Sequence, residues 1–193
     1  MRKAIKIFVA SILIAILSFT TGCKIIGYEN FGYETQEEMQ NAIKNELGYP
    51  NWYYFDWSSI NAEFVSYGVL TCSQRYNFPN SKKTYKVLSY SVASEIRGPN
   101  GEIRASVDII TTGNDADLQF LRYEFVHDGI SCRVLCPKYA NQDNLEFLCH
   151  IDFEIEQTNY TIYFYHNKDV LNVFDVSEAV ETAKILLSTR YKI

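Results

Sequence analysis

His150, Asp152, Glu154 and Glu156 recur at every second position of one segment. That period puts all four on one face of an extended strand. A return strand through 160–166 then sets Tyr165 opposite His150 and Tyr163 opposite Asp152, and Arg133 arrives from the neighbouring strand. An imidazole, three carboxylates, two phenols and a guanidinium on one surface suit a cation or a basic partner, with His150 and Asp152 as the polar centre. The same residues also make an ordinary solvated sheet face with cross-strand pairs. Hydrolysis by a His–Asp pair needs a nucleophile beside it, and the pattern supplies none, so the chain reads as a non-enzyme.

Three other groups have residue types that could do chemistry. Cys72, Cys132, Cys136 and Cys149 are an even set. If Cys136 faces Leu145, Cys132 falls opposite Cys149, within bridging reach; otherwise all four are small buried hydrophobes. The cysteines form no CxxC motif and the three histidines lack ligand spacing, so no metal and no cofactor is expected. Asn114, Asp115 and Asp117 resemble the start of a calcium loop, but the glycine and distal glutamate are missing, leaving a strand connection. Tyr49, Trp52, Tyr53, Tyr54, Phe55 and Trp57 form either a stacking platform for sugar rings or a lid over core.

The elements that must position these residues follow from periodicity. Thr35 and Glu38 make a capping box for a helix over 36–47 whose stripe is Met39, Ala42, Ile43 and Leu47. Residues 62–72 read as a strand. Strands 85–97 and 102–112 flank the turn Gly98–Gly101, placing Ile96 opposite Ile103 and Val92 opposite Val107. Asp128-Gly129 joins strands 118–127 and 130–136, with Phe125 opposite Cys132, Tyr123 opposite Val134 and Glu124 opposite Arg133. In 145–156, Leu145, Phe147, Cys149, Ile151, Phe153 and Ile155 face inward. A turn at Gln157-Thr158 returns through a strand with Ile162 and Phe164 on the buried side. A second capping box, Asp175 and Glu178, opens a helix whose stripe is Val176, Ala179, Val180, Ala183, Leu186 and Leu187. The fold class is α+β: an antiparallel meander of six or more strands covered by an N-terminal and a C-terminal helix, in one domain over 34–193.

The first 23 residues carry a different signal. Arg2, Lys3 and Lys6 precede the apolar run Ile7 to Phe19, which is 13 residues long. A spanning helix needs roughly 20, so this is the pattern of an export signal. Thr20, Thr21, Gly22 and Cys23 follow, and this end resembles the lipobox of bacterial lipoproteins, with Thr20 where the family carries Leu. The resemblance implies a signal peptide over 1–22, cleavage after Gly22 and a diacylglyceryl thioether on Cys23. It also implies a lipid-anchored tether over 23–33 and a domain on the extracytoplasmic face of the cell membrane. Two acyl chains hold stably, because each buried methylene contributes roughly 0.8 kcal/mol.

Charge narrows the partners. After residue 22 there are 15 basic and 23 acidic residues, a net −8. Nucleic acid is excluded as a partner, since its phosphates require a basic surface. The expected role is a binding or envelope-interaction module. Its partners would be the membrane, through the lipid on Cys23, and an envelope protein or glycan. The alternatives are a carrier of an apolar ligand and, below that, a hydrolase using His150 and Asp152.

Overall fold

A computed structural model of the chain describes residues 24–47, 52–76, 82–111, 119–137 and 145–192. The export signal, Cys23, Tyr49 and the Asn114–Asp117 stretch lie outside the described residues. No described helix is long and apolar enough to cross a membrane.

Among the described residues, eight antiparallel strands form one sheet: β1 (Lys24–Tyr33), β2 (Phe64–Tyr76), β3 (Thr84–Arg97), β4 (Ile103–Thr111), β5 (Gln119–His127), β6 (Ile130–Pro137), β7 (Leu145–Ile155) and β8 (Thr158–Asn167). Their spatial order is β1-β2-β3-β4-β8-β7-β6-β5. The expected single meander is therefore two four-strand meanders. After β4 the chain crosses to the far edge and works back, so that β4 and β8 pair at the centre, with Ile109 opposite Ile162. Residues 24–33, expected as a tether, are instead a full edge strand paired with β2 from Lys24↔Tyr76 to Tyr33↔Tyr67. The inward side of β1 explains this: Phe31 and Tyr33 pack against the core.

Helix α1 (Gln36–Ala42) continues into a wider turn, Ile43–Leu47, and helix α2 spans Val176–Ser188. Because α1 follows β1, it is not an N-terminal cover. At its start the Glu38 amide donates to Thr35 Oγ1 (3.1 Å), while the Glu38 carboxylate accepts from Glu34 rather than closing the box on Thr35. The α2 box is complete: the Glu178 amide donates to Asp175 Oδ1 (2.9 Å) and the Asp175 amide to Glu178 Oε2 (3.3 Å). Arg104 of β4 holds this end down, bonding Glu178 and the carbonyl of Asn172.

The core is continuous. Met39, Ile43 and Leu47 from the first helical stretch and Ala179, Val180, Ala183, Leu186 and Leu187 from α2 join one cluster with the sheet. The sheet contributes Val92, Val107, Ile109, Val134, Ile151, Ile162 and Phe164. Alternation thus assigned these strand faces correctly. The Asp128-Gly129 hairpin keeps the expected register, with Phe125 opposite Cys132 and Glu124 opposite Arg133. Both turn residues have positive φ, the two-residue geometry that fixes register. Two other registers are corrected. At the 98–102 turn a bulge between Ile96 and Arg97 sets Ile96 opposite Ala105 and Val92 opposite Ile109, two residues from the expected pairing. At β7–β8 the turn is Glu156-Gln157, again with positive φ, so Tyr163 rather than Tyr165 faces His150.

Candidate functional site

The aromatic run is a lid. Trp52, Tyr54, Phe55 and Trp57 are buried in the core cluster. Phe55 packs edge-on to Phe153 and Tyr160, and Tyr54 stacks on Tyr90 with ring centroids 5.1 Å apart. Two tyrosine hydroxyls bracket the Tyr53 backbone: its N–H donates to Tyr160 (2.8 Å) and its carbonyl accepts from Tyr90 (2.6 Å). Tyr54 and Tyr191 then exchange both backbone hydrogen bonds at 2.8 Å. A sugar platform would need these ring faces free, and they are spent on packing.

The expected polar face is real but graded. One row across the sheet runs Ile110, Thr161, Asp152, Arg133, Glu124, and the adjacent row runs Asp108, Tyr163, His150, Leu135. Asp152 is the hub. Its Oδ1 accepts from Thr161 Oγ1 (2.9 Å) with His150 Nε2 3.5 Å from the same oxygen, and its Oδ2 accepts from Arg133 (3.3 Å). Burial works to raise the Asp152 carboxyl, but the hydrogen bonds from His150 and Thr161 and the Arg133 charge hold it below the usual carboxylate range. The His150 side chain is only 3% exposed, against 55% for Arg133. Tyr163 packs edge-on to it at 5.3 Å, Phe147 lies 6.0 Å away, and its Nδ1 has no hydrogen-bond partner among the described residues. The face therefore closes over His150 and opens toward β5 and β6.

Where it opens there is a depression of about 550 Å³ whose polar lining includes Glu124, Arg133, Asp152, Glu154, Asn159 and Thr161. Three carboxylates meet one guanidinium, which Asp152 already holds. The exposed Arg133–Asp152 pair contributes at most about 1 kcal/mol, so it orients these groups more than it stabilises the fold. Tyr165 belongs to this face but is not part of the depression; it packs 5.6 Å from Phe147. A bulge between Phe147 and Cys149 turns Phe147 onto this face, against the expected inward direction, and lets Leu148 pack on the core instead.

Sequence reasoning missed three members. Glu124 was paired with Arg133 but not placed in a site. Thr161 alternates with Ile162 on the return strand, and nothing in its residue type marks it as a partner of Asp152. Asp108 is the one acidic residue of β4, and its Oδ1 is buried without a hydrogen-bond partner among the described residues. Burial pushes its carboxyl up. Its outward position between Val107 and Ile109 was legible, but the burial that distinguishes it was not.

Of the two cysteine readings, the bridge is corrected and the free one holds, with Cys132, Cys136 and Cys149 buried and Cys72 half-buried. Phe153, not Cys149, stands opposite Cys132, and Cys72, Cys132, Cys136 and Cys149 are all free thiols. Burial pushes Cys132 up to about 11 and Cys149 up to about 12, far from the reactive thiolate. No group of three His, Cys, Asp or Glu side chains among the described residues could hold a metal ion. Comparison with family models, curated proteins and solved structures finds no match.

Proposed function

We propose that this chain is a lipid-anchored, extracytoplasmic binding module that presents its polar sheet face to a basic group on an envelope protein or glycan. In this reading α1, the 52–60 segment and α2 close one face of the sheet and leave the other for contact. The observation that carries it is the depression in that face, where Glu124, Asp152 and Glu154 surround a single, already paired Arg133. Such a pocket attracts an ammonium or guanidinium group and repels acidic partners. The lipobox resemblance at Cys23 supports the location.

Titration of the protein with tri-lysine, followed by amide chemical shifts, tests the face. Shifts should concentrate at Glu124, Ser131, Glu154 and Asn159, and Glu124→Gln with Glu154→Gln should remove them without changing the melting temperature. Shifts spread evenly over the surface, or none, would overturn the proposal.

The carrier reading needs room between sheet and helices. Tyr54, Phe55, Tyr90, Tyr160, Leu186 and Leu187 fill that layer, each essentially buried. The hydrolase reading needs a nucleophile beside His150 and Asp152, and the Thr161 hydroxyl, which bonds Asp152, is spent holding it.

A further inference from the structure

One end of the sheet is basic. Past the last β3–β4 partners, Ser91↔Ile110, the strands β1, β2 and β3 continue together through 24–29, 71–76 and 84–89. Among the described residues these three strands alone make a tongue that, at roughly 3.3 Å per residue, extends about 20 Å. Its strands and residues 82–83 hold Lys24, Arg75, Lys82, Lys83 and Lys86 against one acidic residue, Glu29, in a chain whose part after residue 22 is strongly acidic. Glu29 is paired with Lys83. Arg75, Lys82 and Lys86 are exposed, and no acidic partner meets them among the described residues. Two exposed apolar side chains sit on the same tongue: Ile26 at 56% and Tyr28 at 71%. Tyr and Lys or Arg together are the side chains that favour a membrane–water interface.

The edge strand β1 adds a geometric constraint. Its first residue, Lys24, directly follows Cys23, so the lipid attachment point and the first paired residue are one peptide unit apart, about 3.8 Å between Cα atoms. Anchoring at Cys23 leaves no linker. The tongue must then stand at the bilayer surface, within about one Debye length of the headgroups.

We propose that the β1–β2–β3 tongue is a docking surface for anionic lipid headgroups, so that the anchored domain is seated on the membrane in one orientation. The proposal rests on lipidation of Cys23. Each basic side chain near an anionic surface strengthens partitioning roughly fivefold. Lys86 shares one face of the tongue with Ile26 and Tyr28, so Lys82 and Lys86 would grip the headgroups while Ile26 and Tyr28 enter the interface, and Arg75 would meet them from the opposite face at the tip. The acidic depression on the polar face is then held in a fixed direction relative to the membrane.

The test uses the mature lipidated chain on phosphatidylcholine vesicles with and without about one third phosphatidylglycerol. A membrane-impermeant amine-acetylating ester is applied, and the rate at each lysine is read by peptide mass spectrometry. Lys82 and Lys86 should react roughly fivefold more slowly on the phosphatidylglycerol vesicles, with Lys44 unchanged. High salt should abolish the difference, and so should Arg75→Glu with Lys82→Glu, read at Lys86. Flotation with both vesicle types combined with equal rates at Lys82, Lys86 and Lys44 would overturn the docking and leave the anchor standing. Failure to float on either vesicle would overturn the anchor and the docking with it.

Discussion

Replacing Tyr160 with Phe isolates one hydrogen bond that locks the aromatic lid. The ring stays stacked on Phe153, with centroids 5.4 Å apart and planes 6° apart, and keeps its edge contact with Phe55. Only the hydroxyl leaves, and with it the acceptor of the Tyr53 N–H. A buried donor left without a partner costs about 2 kcal/mol. For a domain of this size that is a fall of about 4–8 °C in melting temperature, with the denaturant midpoint lowered and the m-value unchanged. Tyr90→Phe removes the donor to the carbonyl of the same residue, Tyr53. Because either change frees the same segment, the double variant should lose less than the sum. Tyr28→Phe, on an exposed ring, should stay within about 0.5 kcal/mol of the parent. The hydroxyl also gives a pH signature. Burial pushes Tyr160 up to about 12, above its ordinary value of 10, so the fold favours the neutral phenol. Its contribution is complete below pH 10 and disappears between pH 10 and 12, and Tyr160→Phe should flatten that part of the profile. Circular dichroism melts and urea titrations measure both effects. A Tyr160→Phe protein melting within about 1 °C of the parent would refute the clamp.

Gln157 occupies a left-handed turn position with φ +66°, where a side chain is strained; Gln157→Gly should raise stability by about 1 kcal/mol in urea unfolding, and a loss would show the turn is not as described. Asp108 is half-buried, with its Oδ1 sealed from solvent and unbonded among the described residues, so burial raises its carboxyl. Its stabilising form is therefore the protonated one, present below about pH 4 and lost as pH rises. Asp108→Asn should raise the melting temperature at pH 7, with the gain shrinking toward pH 3. In the native protein at pH 8 a water-soluble thiol reagent should label Cys72 before Cys132 and Cys149, which burial keeps protonated. Unfolding without reductant should release all four thiols, and recovery of two fewer would contradict the free state.

Side-chain direction was the most legible part of the fold. Alternation alone placed Cys149, Ile151, Phe153, Ile162 and Phe164 inward, because a period of two needs no partner to interpret. Register was legible only at Asp128-Gly129, where a two-residue turn fixes the pairing. At Gly98 the loop closes through a Gly98–Glu102 hydrogen bond of 2.8 Å next to a bulge, and loop length no longer dictates the partner. At Glu156-Gln157 neither residue is a type that signals positive φ, so the turn was placed one residue late. The strand β1 was hidden by Gly27 and Gly32, which read as a flexible segment until pairing with β2 is seen. The crossing from β4 to β5 left no mark in local pattern. For the site, Arg133, His150, Asp152, Tyr163 and Tyr165 do share one face. What sequence could not give was depth: which of them is sealed, as His150 is, and which opens to water beside Glu124.

The central claim, attachment through Cys23, is tested most directly by the mass of the N-terminal peptide of the protein recovered from membranes. That chain should start at Cys23, with residues 1–22 gone and the mass of a diacylglyceryl group on that residue. An unmodified Cys23 thiol, or a chain still starting at Met1, would contradict it.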